Sequence, residues 1–349
     1  MLRVNRLRQE NSDQISSHSL VAQAASAMTI LVSCLVLLGW WLNLEFIKNC
    51  FSLSIVTMKA NAAVCFILSG VSLWLSSRGG GDEENKGDKE VTSSSSSSLL
   101  SRVCATTVVV IAALTLSQYL FGWNLGIDQL LLPDSPNALM TSHPGRMGLN
   151  TALNFLLIGR ALELVGEPKS RRSYWYAQIF ALIAALMSLQ AIIGYAYGVD
   201  LLYGFPPYST SMALHTALTF TLLCVGVLWT HPNEGLMRIV TSETYGGLLA
   251  RRLLLAAIAV PLVLGWLILQ GLIAEFYEPA FAVSLLVVVL IVSFCVLIWE
   301  SVAALERMGD QRDRVKKALK ANEEKLNSFV DANIIGILFG DIHGHVRNA

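Results

Sequence analysis

Three apolar segments share one residue pattern, and each is about the length of a membrane span. They are MKANAAVCFILSGVSLWL from Met58, MGLNTALNFLLIGRALEL from Met147 and MALHTALTFTLLCVGVLW from Met212. Methionine opens each, and a polar residue follows three positions later (Asn61, Asn150, His215). Ala63, Ala152 and Ala217 come next, then Phe66, Phe155 and Phe220, then the small residues Gly70, Gly159 and Cys224. At helical spacing the Ala, Phe and small positions form one stripe and the Met and polar positions another. Small residues on a stripe let membrane helices approach closely. The pattern predicts a repeated membrane helix that sets the architecture.

The rest of the chain is consistent with a bilayer as solvent. Only 14% of the 349 residues are charged and 54% are hydrophobic, against roughly 25% charged in soluble domains. The net charge of zero argues against nucleic acid as a partner. Cys34, Cys50, Cys65, Cys104, Cys224 and Cys295 lie in or beside apolar runs with no ligand spacing, so they read as reduced packing residues. No cleavable signal peptide is evident.

Eight spans are expected, near 28–47, 56–75, 103–121, 147–164, 174–195, 212–229, 253–273 and 280–299. The expected fold class is an all-α membrane protein with a threefold hairpin repeat (28–75, 103–164, 174–229) followed by the last two spans. Residues 1–27 read as a cytoplasmic, partly disordered tail, and 28–300 as the membrane domain. The linker 76–102, with its Ser93–Ser98 run, reads as a flexible loop. Arginines and lysines crowd the side of the N-terminal tail (Arg3, Arg6, Arg8, Arg78, Arg102, Lys169, Arg172, Arg238, Arg251 among them), while Lys48, Lys59 and Arg146 lie opposite. The positive-inside rule then places both termini in the cytoplasm. Pro261, inside span seven, is expected to kink it.

A second pattern precedes two of the Met-led helices, QYLFGWNLGIDQLL from Gln118 and QAIIGYAYGVDLLY from Gln190. Gln118/Gln190, Gly122/Gly194, Trp123/Tyr195, Gly126/Gly198, Ile127/Val199 and Asp128/Asp200 fall at identical offsets. Asp128 and Asp200 read either as a paired carboxylate site for a cation or amine, or as caps of the short helices that follow, and capping is favoured. Gln118 and Gln190, inside the membrane, need helix-to-helix hydrogen bonds. Asn61, Asn150 and His215 are intramembrane polar residues and hence candidate sensing groups, although a packing network accounts for them nearly as well. His215 alone of these titrates near neutral pH. Arg160 and Glu163 are expected to pair or snorkel, and Glu45, Glu275 and Glu278 read as surface charges. No Walker A loop, GxSxG, HExxH or EF-hand loop occurs.

Beyond span eight, Leu305, Met308, Arg312, Val315, Leu319, Asn322, Leu326 and Phe329 keep a 3,4 spacing. This predicts a two-stranded coiled coil over 301–329, with Arg312 and Asn322 as polar interruptions; the plainer reading is a solvated charged helix. After it, Ile335–Gly340 and the segment from His345 read as strands around a tight turn, Asp341–Gly344. Two strands do not make a domain, so 323–349 is expected to be the start of a longer one.

That ending, EEKLNSFVDANIIGILFGDIHGHVRNA, resembles the opening of a PAS domain through Gly336, Asp341, Gly344 and Asn348. The upstream region resembles the multi-span sensor region of bacterial membrane histidine kinases that carry PAS domains. The resemblance rests on Met147–Leu162, Gly122–Leu131 and GGLLARRLL from Gly246. It implies a sensor in the bacterial inner membrane, a response regulator as partner, and a distal kinase that would use ATP and Mg; a homodimer is expected from the heptad seam alone. No catalytic residue, cofactor or metal site is expected in this chain, and His343 and His345 are not assigned as phosphoacceptors. A diguanylate cyclase output, a transporter or channel, and a scaffold are the rival readings. Solute uptake in proteoliposomes would separate transport from signalling.

Overall fold

The computed structural model describes residues 2–44, 48, 56–79, 91–134, 141, 143–166, 171–204, 210–242, 244–331, 339–340 and 346–348. These include nine α-helices: α1 (Leu2–Trp41), α2 (Ala60–Gly79), α3 (Val91–Phe121), α4 (Leu149–Gly166), α5 (Arg171–Tyr197), α6 (Leu214–Thr230), α7 (Met237–Thr241), α8 (Tyr245–Ile273) and α9 (Pro279–Asp331). Asp200–Leu202 forms a 3₁₀ turn. Two compact units result, Met1–Arg251 and Arg252–Ala349.

In the first unit the helices alternate between inside and outside. The three Met-led helices α2, α4 and α6 touch one another. Each outer helix fills a groove between two of them: α1 between α2 and α6, α3 between α2 and α4, α5 between α4 and α6. The ring closes because α6 returns to α1. At its centre Phe66, Phe155 and Phe220 meet pairwise with ring centroids 4.5–4.7 Å apart, tilted as the aromatic quadrupole prefers. All three are fully buried, as are Ala63, Ala152 and Ala217 beside them. The glycines of the pattern bring inner and outer helices together. A Cβ on Gly70 would lie 2.6 Å from Ile30, and one on Gly159 2.6 Å from Val109.

The outward faces of α1, α3 and α5 carry Leu31, Leu38, Val103, Val110, Leu114, Leu182 and Leu186 exposed. Six helical stretches are long and apolar enough to cross a membrane: Ser19–Trp41, Ala60–Arg78, Ser96–Phe121, Arg172–Tyr197, Gly246–Ile273 and Pro279–Ala303. This is the architecture of a multi-pass membrane protein. Of the eight expected spans, the other two are the inner helices α4 and α6. Helix α6 is apolar but only 17 residues long, and α4 carries Asn150, Asn154, Arg160 and Glu163.

Several local expectations change. The tail 1–27 is helical from Leu2 and continuous with the first apolar stretch, because no Pro or Gly interrupts the chain before Gly39. The Ser93–Ser98 run belongs to α3 rather than to a loop. One turn further, the Ser101 hydroxyl lies within hydrogen-bond distance of those of Ser72 and Ser76, knitting α3 to α2. Pro261 sits within an α-helix that continues to Ile273.

The second unit begins inside α8. The Tyr277 hydroxyl donates to the Ile268 carbonyl at 2.6 Å, which ties the α8–α9 turn. Arg252 and Glu300 pair at 2.7 Å at the far end of that hairpin. Helix α9 is 53 residues long and runs unbroken from the apolar stretch into the polar one. Phe339–Gly340 and Val346–Asn348 pair as antiparallel strands, so the first strand is described only at the end of the expected 335–340. The turn Asp341–Gly344 lies outside the described residues.

Candidate functional site

The starts of α2, α4 and α6 gather the polar side chains that an apolar bundle would otherwise exclude. Each opening methionine offers a carbonyl that has no helical donor, and each receives one from the preceding outer helix. Trp40 Nε1 donates to Met58 at 2.8 Å, the Tyr119 hydroxyl to Met147 at 3.0 Å and the Tyr195 hydroxyl to Met212 at 2.8 Å. The methionines themselves are buried.

The second hairpin's long loop folds over the start of α2. Asn61 donates its amide to the carbonyls of Ile127 (3.1 Å) and Asp128 (3.0 Å). Lys59, buried, donates to Asp134 at 2.6 Å and to the Thr141 hydroxyl at 3.1 Å. The Gly145 amide donates to the same Asp134 oxygen. Inside the loop, Arg146 Nε donates to Asp128 at 2.9 Å and its Nη2 to Gln118 at 3.2 Å, while Gln118 donates to the other oxygen of Asp128 at 2.9 Å. The Arg146 guanidinium also lies 5.4 Å from the Tyr119 ring centre. A buried carboxylate and guanidinium thus satisfy each other, as a low-dielectric setting requires.

The third hairpin's loop reaches α4 by backbone contact. Gly148 has no room for a side chain, since a Cβ there would lie 2.2 Å from the Thr210 carbonyl oxygen. The first hairpin's end reaches α6, where the Met58 amide donates to His215 Nε2 at 3.3 Å. Each loop is therefore bound to the neighbouring hairpin's inner helix, and the three contacts close a cycle.

Of the sequence candidates, the structure joins Gln118, Asp128 and Asn61 in one network. His215 belongs to the first–third hairpin contact, with its Nδ1 buried and without a partner among the described residues. Asn150, in the first turn of α4, is half-buried. Asp128 does not cap a helix: a turn follows it and its carboxylate faces Arg146 and Gln118. Asp200 opens the 3₁₀ turn, but the cap position is Val199, and its carboxylate accepts the Tyr203 hydroxyl. Burial and that bond push the Tyr203 phenol up to about 12. The two aspartates have different partners and do not make a shared cation site. Gln190 is exposed on α5 rather than bonded like Gln118. Arg160 and Glu163 do pair, and Thr106 donates to Glu163 at 2.8 Å. Glu275 and Glu278 are exposed; Glu45 lies outside the described residues. The five described cysteines are free, and Cys50 lies outside them. Along α9, Val315, Leu319, Asn322 and Leu326 are exposed; the side chains of Leu305, Met308, Arg312 and Phe329 lie outside the described residues.

Sequence reasoning missed Trp40, Tyr119, Lys59 and Arg146. A usable signal existed for the last two, since each is a cation directly beside an opening methionine with an aspartate in the following or preceding loop. It also missed Gln178 at the opposite end. Its carbonyl oxygen accepts from the Leu236 (2.6 Å) and Met237 (3.3 Å) amides, and its amide donates to the Glu234 carbonyl at 3.0 Å. Among the described residues no group of three His, Cys, Asp or Glu could hold a metal ion. No family model, curated protein or solved structure matches the chain.

Proposed function

We propose that the chain is the membrane sensor and signal-transmitting region of a two-component sensor histidine kinase. In this reading α4 and α6 also span the bilayer, giving eight spans with a threefold hairpin repeat, and both termini face the cytoplasm of a bacterial inner membrane. Helix α9 pairs with its copy in a homodimer along Leu305–Phe329 and passes the signal to a PAS domain beginning near Glu323. A distal kinase using ATP and Mg then phosphorylates itself and a response regulator.

The observation that carries the reading is α9 itself. One unbroken helix joins a stretch fit to cross a membrane to a heptad-spaced polar stretch, and a rigid rod of this kind can carry a rotation or shift across the interface. The cycle of loop contacts supports the input half, because a ligand that displaces one loop must disturb the next hairpin as well. A ligand shifts the equilibrium only by its differential affinity for two arrangements. A diguanylate cyclase in place of the kinase would use the same input and rod. Transport is less favoured, because a long heptad helix serves no step of it.

The test is Leu319→Asp in the full-length protein, with autophosphorylation measured in membranes. Output uncoupled from the stimulus is expected; a stimulus response unchanged by the substitution sinks the transmission mechanism, and cyclic dinucleotide formation instead of phosphorylation moves the output to the cyclase.

A further inference from the structure

We propose that the meeting point of the three inner helices binds one small monovalent anion of halide size. A cavity of about 10 Å³ lies there, room for the centre of roughly one water-sized particle. The first-turn residues of all three helices, Ala62, Thr151 and Thr216, border it, as do Thr210 and Ser211. The Thr210 and Ser211 hydroxyls are unpartnered among the described residues, and both residues are only 3% exposed. Leaving two buried hydroxyls unsatisfied costs free energy, which an occupant of the cavity would recover.

The sign of the occupant follows from the helix ends. The first intrahelical bonds run from Ala63 to the Lys59 carbonyl, from Ala152 to Gly148 and from Ala217 to Ala213. The cap positions are thus Lys, Gly and Ala, none of which carries an acceptor oxygen, and at Ala213 no side-chain cap is made. The first turns of all three helices therefore border the cavity with no side-chain acceptor at the cap position. Each helix end also presents about half a positive elementary charge. Lys59 borders the same space, its ammonium already held by Asp134. Unpartnered hydroxyls and positive helix ends suit an anion, and the small volume disfavours phosphate or sulfate.

The test uses the full chain purified in detergent and titrated with chloride or bromide against gluconate at constant ionic strength. Binding to the folded state raises the unfolding midpoint with the logarithm of ligand excess; a rise of about 2–4 °C is expected at the highest halide concentration. The Thr210→Val/Ser211→Ala pair, which removes the two unpartnered hydroxyls, should need about tenfold more halide for the same rise. Equal midpoints in gluconate and halide mean that the cavity holds water, and overturn the proposal, as does an unchanged halide response in the double variant. If that variant does not fold, bromide anomalous scattering from crystals of the wild-type chain decides: a peak between α2, α4 and α6 supports the site and its absence there overturns it. These readouts report occupancy, so they stand or fall independently of the signalling reading.

Discussion

Tyr119 and Tyr195 occupy positions one helical turn out of step in their shared sequence pattern, yet do the same work. Each donates its hydroxyl to the carbonyl of the methionine that opens the next helix, at 3.0 and 2.8 Å. The residue aligned with Tyr195 is Trp123, which is half exposed and donates instead to Ser117. Positions four apart lie on one helical face, so either can supply the donor. Tyr119→Phe should cost about 1 kcal/mol, the net worth of one neutral hydrogen bond, measured by reversible unfolding in mixed micelles. Trp123→Phe should be silent in the same assay.

Arg146 and Asp128 bury their charges against each other. Removing one partner leaves the other uncompensated, so Asp128→Leu or Arg146→Met alone should destabilise by about 3–5 kcal/mol. Asp128→Leu combined with Arg146→Met should recover most of that loss, although Gln118 then loses two partners. A double-mutant cycle on unfolding free energies measures the recovery; additive losses would mean that the two charges are not coupled.

The glycines separate two physical reasons for the residue. Gly126 has φ 72° and open space around its missing Cβ, so Gly126→Ala should cost only the left-handed penalty of about 1–2 kcal/mol. Gly148 faces the Thr210 carbonyl instead. Gly148→Ala must move the backbone of the third loop, and it should speed protease cleavage within 198–211 well beyond anything seen with Gly126→Ala.

What the sequence made legible was the inner layer. The Ala and Phe positions of the Met-led pattern fall on one stripe, and all six are fully buried. Periodicity reports such faces directly, since it depends on local helical geometry alone. The loop contacts were not legible in the same way. Asn61 meets Ile127 and Asp128, and Lys59 meets Asp134, across 66 to 75 residues of sequence, so only the closed ring brings them together. The matching of Gln118 to Gln190 failed for a related reason. A buried arginine in the second loop gives Gln118 something to bind, and the third loop has no arginine at the corresponding place. Apolar periodicity alone also marked α4 and α6 as spans, whereas six stretches are long and apolar enough to cross a membrane; α4 carries Asn150, Asn154, Arg160 and Glu163, and α6 has only 17 residues.

His231 gives the bundle a pH dependence. It follows α6, stacks on Tyr174 with ring centroids 4.4 Å apart, and is pushed below its usual range by burial, with Glu234 opposing. Between about pH 6.5, the ordinary value, and the lowered folded value, the unfolded chain binds a proton that the folded chain refuses. Stability from this group is therefore complete above about pH 6.5, declines as pH falls through that window and levels off below the folded value. Unfolding midpoints taken from pH 8 to pH 5 should fall for the wild type and fall less for His231→Phe, which keeps the stacked ring.

The helix α9 leaves its heptad positions uncovered in the single chain: Val315, Leu319 and Leu326 are 68%, 59% and 57% exposed. Apolar residues held at that spacing on a solvated helix are stable when a second helix covers them. In membranes containing the full-length protein, Leu319→Cys and Leu326→Cys should each form a disulfide-linked dimer under mild oxidation, because equivalent seam positions face one another across a parallel pair. Lys317→Cys, off the seam, should not. Cys34 and Cys295, which are exposed, and Cys50 are replaced by serine in every variant, which leaves only the buried Cys65, Cys104 and Cys224 beside the introduced thiol. Equal cross-linking at Leu319 and Lys317 would mean that the helix is a solvated rod without a partner, and would overturn the proposed homodimer.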